Sequence, residues 1–289
     1  MISRLRRLRF GLATVLGLAP RGFFIPYRYA GDVPAAGERA PYDAIESLFG
    51  HAEAEFARRL EGLGDYAGAL DAITGPASSS QAPAPRWEQD WFPRLDAAMA
   101  YAMVRGMDRN GGNARRIVEV GSGHSTRFLA RAVADGGADC RIIAIDPAPR
   151  ADIAGLGVEI IAATVQGAGT GPFEGLAAGD ILFIDSSHIL MPGSDVDFLI
   201  NRVMPGLPSG VLVHIHDIFL PEDYPLSWAW RGYNEQLAVA ALLTGGAYRV
   251  LFSSRYAATH MADAVVRSAV GGLPLMDGAL ESSLWLEKL

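Results

Sequence analysis

The stretch Arg116–Thr126, RIVEVGSGHST, decides the fold. An apolar run carrying one acid, Ile117-Val118-Glu119-Val120, leads straight into Gly121-Ser122-Gly123. This is the pattern of a buried strand delivering a tight glycine turn to the start of a helix. The two glycines let the backbone pass close to a ligand with no Cβ in the way. The helix is expected to begin near His124–Thr126, with Ser125 or Thr126 capping it and its amides facing the ligand. A GxG pair alone also occurs in strand–loop–helix proteins that bind nothing there, so the residues that follow decide its meaning.

About two dozen residues on, Arg141–Pro147 reads RIIAIDP, a second apolar strand ending in an acid. The spacing fits a neighbouring parallel strand in a Rossmann-like unit, where such an acid accepts both hydroxyls of a ribose. A dinucleotide fingerprint wants a third glycine three residues after Gly123, yet Thr126 stands there. With no other phosphate cradle visible, a nucleoside lacking a pyrophosphate fits better.

Glu119-x-Gly121-x-Gly123 followed by Asp146 resembles the class I S-adenosylmethionine-dependent methyltransferases. Within that class, EVGSGHST, GDILFIDSSH and HIHDIFLPEDYP are together most similar to a bacterial small-molecule methyltransferase family. The resemblance runs from near Trp87 to Leu289. It implies that the glycine turn passes the methionine part of the cofactor and that Asp146 holds the ribose. The cofactor-binding residues it implies are Glu119, Gly121, Ser122, Gly123, Ser125, Thr126, Asp146 and Asp185. Gln166 stands where related enzymes contact the adenine amine, and His124 in the turn is a further candidate.

Half of the 289 residues are hydrophobic, enough for a full core. The net charge of −7 argues against a general nucleic-acid binder, leaving a small or neutral acceptor as the default. The single cysteine, Cys140, excludes an internal disulfide and a Cys-rich metal site, which fits a reducing cytoplasm. The first thirty residues differ in character, carrying Arg4, Arg6, Arg7, Arg9, Arg21 and Arg28 with no acid. The uncharged stretch Phe10–Pro20 is far shorter than the ~20 residues of a spanning helix. Leu5, Leu8, Leu12, Val15 and Ala19 share a helical face, so residues 1–30 are read as a helix that packs on its own domain, on a second subunit in a homo-oligomer, or on a membrane surface.

Helical spacing over Pro41–Leu60 continues in fragments to Ile73, and GPASSSQAPAP at Gly75–Pro85 reads as a linker. The expected organisation is an N-terminal segment 1–74, a linker 75–86 and a catalytic domain 87–289. A helix over Trp87–Met107 precedes strands near 116–120, 141–146, 158–162, 181–185, 210–216, 247–253 and 282–287, with helices between them. This alternation predicts an α/β fold with a seven-stranded, mostly parallel sheet and helices on both faces. The last strand is expected as an antiparallel edge. Ligands of such sheets sit beyond the carboxyl ends of the strands.

Asp185 ends one apolar run and is followed by Ser186, Ser187 and His188; Asp217 ends the next, after His214 and His216. If those strands are neighbours, Asp185, His188, His216 and Asp217 converge where a methyl sulfonium would point. One reading gives Asp185, His216 and Asp217 a divalent cation, magnesium first, that orients and acidifies a substrate hydroxyl. The other makes His188 or His216 a neutral general base oriented by an aspartate. His214, deeper in its strand, is read as a core histidine. Tyr224 and Trp228, in the aromatic segment after the fifth strand, are expected to bind a small-molecule or glycan acceptor. Methyl transfer to a hydroxyl, with an amine as the lesser alternative, is thus the leading reading. Its rivals are an iron-dependent oxygenase using His188, His216 and Asp185, and a non-catalytic, membrane-peripheral accessory protein.

Overall fold

The computed structural model describes residues 2–35, 37–73, 83–107, 115–137, 139–149 and 151–289. The chain divides into two compact units, a smaller one of Met1–Ala40 with Asp223–Gly232 and a larger one of Pro41–Glu222 with Tyr233–Leu289. In the smaller unit, helix α1 spans Ile2–Val15. Arg39 pairs with Asp223 at 2.8 Å and ties the two segments of this unit together.

The larger unit is built on seven strands: β1 (Arg115–Val120), β2 (Cys140–Ile145), β3 (Glu159–Ile161), β4 (Ile181–Ile184), β5 (Leu212–Ile215), β6 (Tyr248–Ser253) and β7 (Leu284–Lys288). Their order is β3-β2-β1-β4-β5-β7-β6. The first five pair in parallel, and all four residues of β4 are buried, as its uninterrupted apolar run requires. β7 is antiparallel to both its neighbours. The antiparallel last strand is therefore present, but it is not the expected edge: it inserts between β5 and β6, and β6 takes the edge. The burial of Leu284, Trp285 and Leu286 fits that interior place.

Helix α2 (Asp43–Gly62) buries Ile45, Phe49, Phe56 and Leu60. Its Phe56 ring meets Phe252 of β6 edge-on at 5.6 Å. The short helix α3 (Ala67–Asp71) follows, so this helical segment packs into the same unit as the sheet. Most of the expected linker, residues 75–82, lies outside the described residues. Helix α4 (Arg94–Gly106) starts on Glu281, whose carboxylate accepts from the Leu95 amide at 2.8 Å and pairs with Arg94 at 3.0 Å. Helix α5 (His124–Gly136) packs Phe128 against Trp87 and Phe92. Cys140 is half-buried at the start of β2.

The chain leaves β1 towards β2 and β3 on one side, then returns to place β4 and β5 on the other. β1 and β4 thus flank the point where the strand order reverses, and there a crevice opens beyond the carboxyl ends of such a sheet. Gly121, Asp146, Asp185 and Asp217 all lie at those ends.

Candidate active site

Gly121 has φ of +85°, and a Cβ there would lie 1.9 Å from the Asp185 carbonyl oxygen. The first glycine is therefore demanded by the neighbouring strand end, where the Asp185 amide also donates to the Val120 carbonyl at 2.9 Å. Gly123 is different: a Cβ there would meet nothing nearer than the Ala151 Cβ, at 3.8 Å. A Cβ would therefore fit at the second glycine and not at the first, which divides between the two a role the sequence reading gave to both.

Glu119 lies beneath the turn, fully buried. It accepts from the Ser125 hydroxyl at 2.6 Å and from the Thr126 hydroxyl at 2.7 Å. The Thr126 oxygen in turn accepts from the Gly123 amide at 2.9 Å. Glu119, Ser125 and Thr126 thus shape the turn from below rather than line its open side. Burial pushes the Glu119 carboxyl up to about 8, against the lowering effect of the two hydroxyls.

Asp146, just past β2, accepts from the Ser122 amide at 2.8 Å and the Ser122 hydroxyl at 2.9 Å on one oxygen, and from the Ala148 amide on the other. It ties the glycine turn to the second strand and is half-exposed. Gln166 sits on the short helix α6 (Val165–Ala168), exposed, its amide donating to the Gly193 carbonyl. His124 opens α5; burial first, then Arg127 and Arg86, lower its imidazole to about 4, so it is neutral.

The ends of β4 and β5 carry a dense charge cluster. His188 Nδ1 lies 2.9 Å from Glu235, and its Nε2 lies 3.4 Å from both Asp185 and Asp217. His216 Nδ1 lies 3.5 Å from Asp185 and 3.7 Å from Asp217, while its Nε2 lies 3.4 Å from Asp96. Asp185, His188, His216 and Asp217 are therefore brought together as expected. Asp96 on α4 and Glu235, the first residue of α8 (Glu235–Thr244), are members the sequence reading missed. Asp96 left a signal, a charge on the stripe of Met99 and Met103. Glu235 left none, since an acid in the first turn of a helix is ordinary.

Burial alone would lower both imidazoles, but Asp217, Asp185 and Glu235 outweigh it at His188, and Asp217, Asp185 and Asp96 at His216. Both are held well above the ordinary histidine value, hence protonated. Burial alone would raise Asp185, yet the adjacent His216 and His188 hold it below the usual carboxylate range. The upward direction at His188 and His216 favours the imidazolium form of both rings, whereas the expected general base is a neutral imidazole. His188 and Asp217 also adopt left-handed φ of 60° and 55°. Such backbone costs ~1–3 kcal/mol for a residue other than glycine and persists where the surroundings dictate it. Here the His188 carbonyl accepts from the Asn234 and Glu235 amides. His214 is the expected core histidine, fully buried, stacked on Phe183 at 3.7 Å and bonded to Ser283 at 2.8 Å.

A metal ligand needs a deprotonated imidazole. A divalent cation held by Asp185, His216 and Asp217, or iron held by His188, His216 and Asp185, would have to displace the proton from each imidazole it takes. Among the described residues no group of three or more His, Cys, Asp or Glu is arranged to hold a metal ion. Tyr224 and Trp228 belong to the smaller unit, where Arg231 lies 3.9 Å over the Trp228 ring.

A family model described as a methyltransferase domain matches residues 118–218, from β1 to just past β5 and less than half of the chain. No curated protein matches. Similar solved structures include the SAH-bound methyltransferase PaMTH1 of Podospora anserina, with 13% identity, 93% of this chain and 99% of that chain covered, and a TM-score of 0.40. Cofactor-bound Rv0187 from MTB has 13% identity, coverage of 78% and 89%, and a TM-score of 0.41. The plantazolicin methyltransferase BpumL in complex with SAH has 11% identity, coverage of 85% and 99%, and a TM-score of 0.41.

The two glycines are expected to fail differently. Gly121→Ala clashes with the Asp185 carbonyl and will be insoluble or strongly destabilised, whereas Gly123→Ala will melt close to wild type. Equal melting temperatures for both variants would contradict this assignment. Glu119 predicts a pH dependence. Between 4.5 and about 8 the unfolded chain releases this proton while the folded chain keeps it, so stability falls as pH rises through that window. Urea titrations of Glu119→Gln should lack that part of the fall. The raised histidines add stability that is complete below their ordinary value and lost as pH climbs through the folded one. His188→Ala, which leaves three carboxylates facing one another, is expected to cost about 3–5 kcal/mol in urea denaturation at neutral pH.

Proposed function

We propose that the larger unit is an S-adenosylmethionine-dependent methyltransferase acting on a hydroxyl of a small molecule or glycan, with an amine as the lesser alternative. The observation that carries this reading is the abutment of Gly121 on Asp185, which makes the glycine turn and the acid cluster two walls of one crevice. The methyltransferase-domain match spans both walls.

The residues present suit the cofactor. Asp146 has three protein donors where a carboxylate offers about four acceptor sites. A ribose takes the remaining site and competes with the Ser122 hydroxyl for another. When bound, S-adenosylmethionine supplies a methyl group on a sulfonium for in-line displacement. Four carboxyl groups, of which burial raises Glu235, face two imidazoles, an acid-rich cluster that suits a cationic ligand. Asp185 is the most exposed carboxylate of the four, at 31% of its side chain. It accepts the hydrogen bond of the acceptor hydroxyl and aims the oxygen at the methyl group; as the oxygen–carbon bond forms and the sulfur–carbon bond breaks, the hydroxyl proton is released to solvent. His188 and His216 hold Asp185 ionised and in place. No step runs through a metal.

Isothermal titration of the full chain with S-adenosylmethionine tests this directly. Wild type should bind with or without EDTA, and Asp146→Ala should bind at least ~10-fold more weakly, as expected for lost charge-assisted hydrogen bonds. Asp185→Asn should keep most of the affinity while losing at least ~100-fold in methyl transfer. Well-folded wild type that binds no S-adenosylmethionine would sink the proposal.

A further inference from the structure

Helix α1 has an apolar stripe that, among the described residues, nothing covers. Leu5, Leu8, Leu12 and Val15 recur at three- and four-residue steps, and each is more than half exposed. Arg9 borders the stripe, four residues from Leu5 and three from Leu12, and Arg6, Arg7 and Arg9 are exposed. Past the helix the chain folds back, the Arg21 amide donating to the Thr14 hydroxyl at 3.0 Å and the Arg6 and Arg21 guanidinium groups lying over the Phe10 ring. It then presents Phe23, Phe24 and Ile25, each above 60% exposed. A 14-residue helix is marginal in water without a packed face.

We infer that this segment of the smaller unit docks on an anionic lipid surface, lying in the interface with its stripe among the acyl chains and its arginines at the headgroups. Charge selects this occupant. The first acid in the sequence is Asp32, so every charged side chain before it is an arginine. A second copy of the same face would oppose like charges, whereas an acidic bilayer neutralises them. The docking is peripheral, since among the described residues no helix is long and apolar enough to cross a membrane.

The test is co-sedimentation of the full chain with phosphatidylcholine vesicles and with the same vesicles containing phosphatidylglycerol. The expected result is binding at least ~10-fold stronger to the anionic vesicles and weakened by salt. L8E/L12E should abolish it, and R6E/R7E/R9E should remove the anionic preference. If L8E/L12E does not fold, the arginine variant alone carries the test. Absence of vesicle binding, equal binding to both vesicle types, or self-association in sedimentation equilibrium without vesicle binding would overturn the inference. None of these readouts depends on methyl transfer, so this proposal and the enzymatic one fail separately.

Discussion

Several acids cannot share one end of a sheet unless cations stand among them. Asp96, Asp185, Asp217 and Glu235 converge beyond β4 and β5, three of them buried, and the two imidazolium rings of His188 and His216 make that arrangement tenable. The elements around the crevice are tied to it: α4 through Asp96, α8 through Glu235, and the segment before β7 through Ser282, whose hydroxyl donates to Asp217 at 3.1 Å. Asp96 also accepts from the Ser282 and Ser283 amides, so the same carboxylate anchors the start of the last strand and pairs with His216, just past β5. The left-handed backbone at His188 and Asp217 fits this view, because such conformations survive where several partners dictate them.

The glycine turn rests on a second buried acid with a different role. Glu119 is pushed up to about 8 by burial, which outweighs the lowering effect of its two hydroxyl partners. It works through Ser125 and Thr126, and through Thr126 on the Gly123 amide. One acid beneath the turn thus sets its shape, while Asp146, half-exposed at its side, ties it to β2 and keeps acceptor capacity for a ligand. Two carboxylates of similar sequence context are separated in role by burial alone.

Much of this was legible in the residues. RIVEVGSGHST and RIIAIDP announce strands by short apolar runs, the first carrying one acid, and runs of that kind have few alternatives in an α/β sheet. The convergence of Asp185, His188, His216 and Asp217 followed from parallel neighbours ending in polar residues. The place of β7 was not legible, because a five-residue strand with three apolar residues reads the same at an edge as between two partners. Asp96 and Glu235 were hidden too, since a helix-borne acid declares a buried partner only when the partner's position is known.

By itself the sequence determined the sheet, the glycine turn and the strand-end positions of the polar residues, because apolar periodicity and backbone sterics are local properties. Tertiary structure decided the charge states, since an imidazole is a base or a cation according to which carboxylates the fold brings within hydrogen-bonding reach. It also decided which glycine the fold demands and which position would admit a Cβ. That distinction depends on the carbonyl of Asp185, a residue 64 positions away along the chain, at 1.9 Å from the absent Cβ.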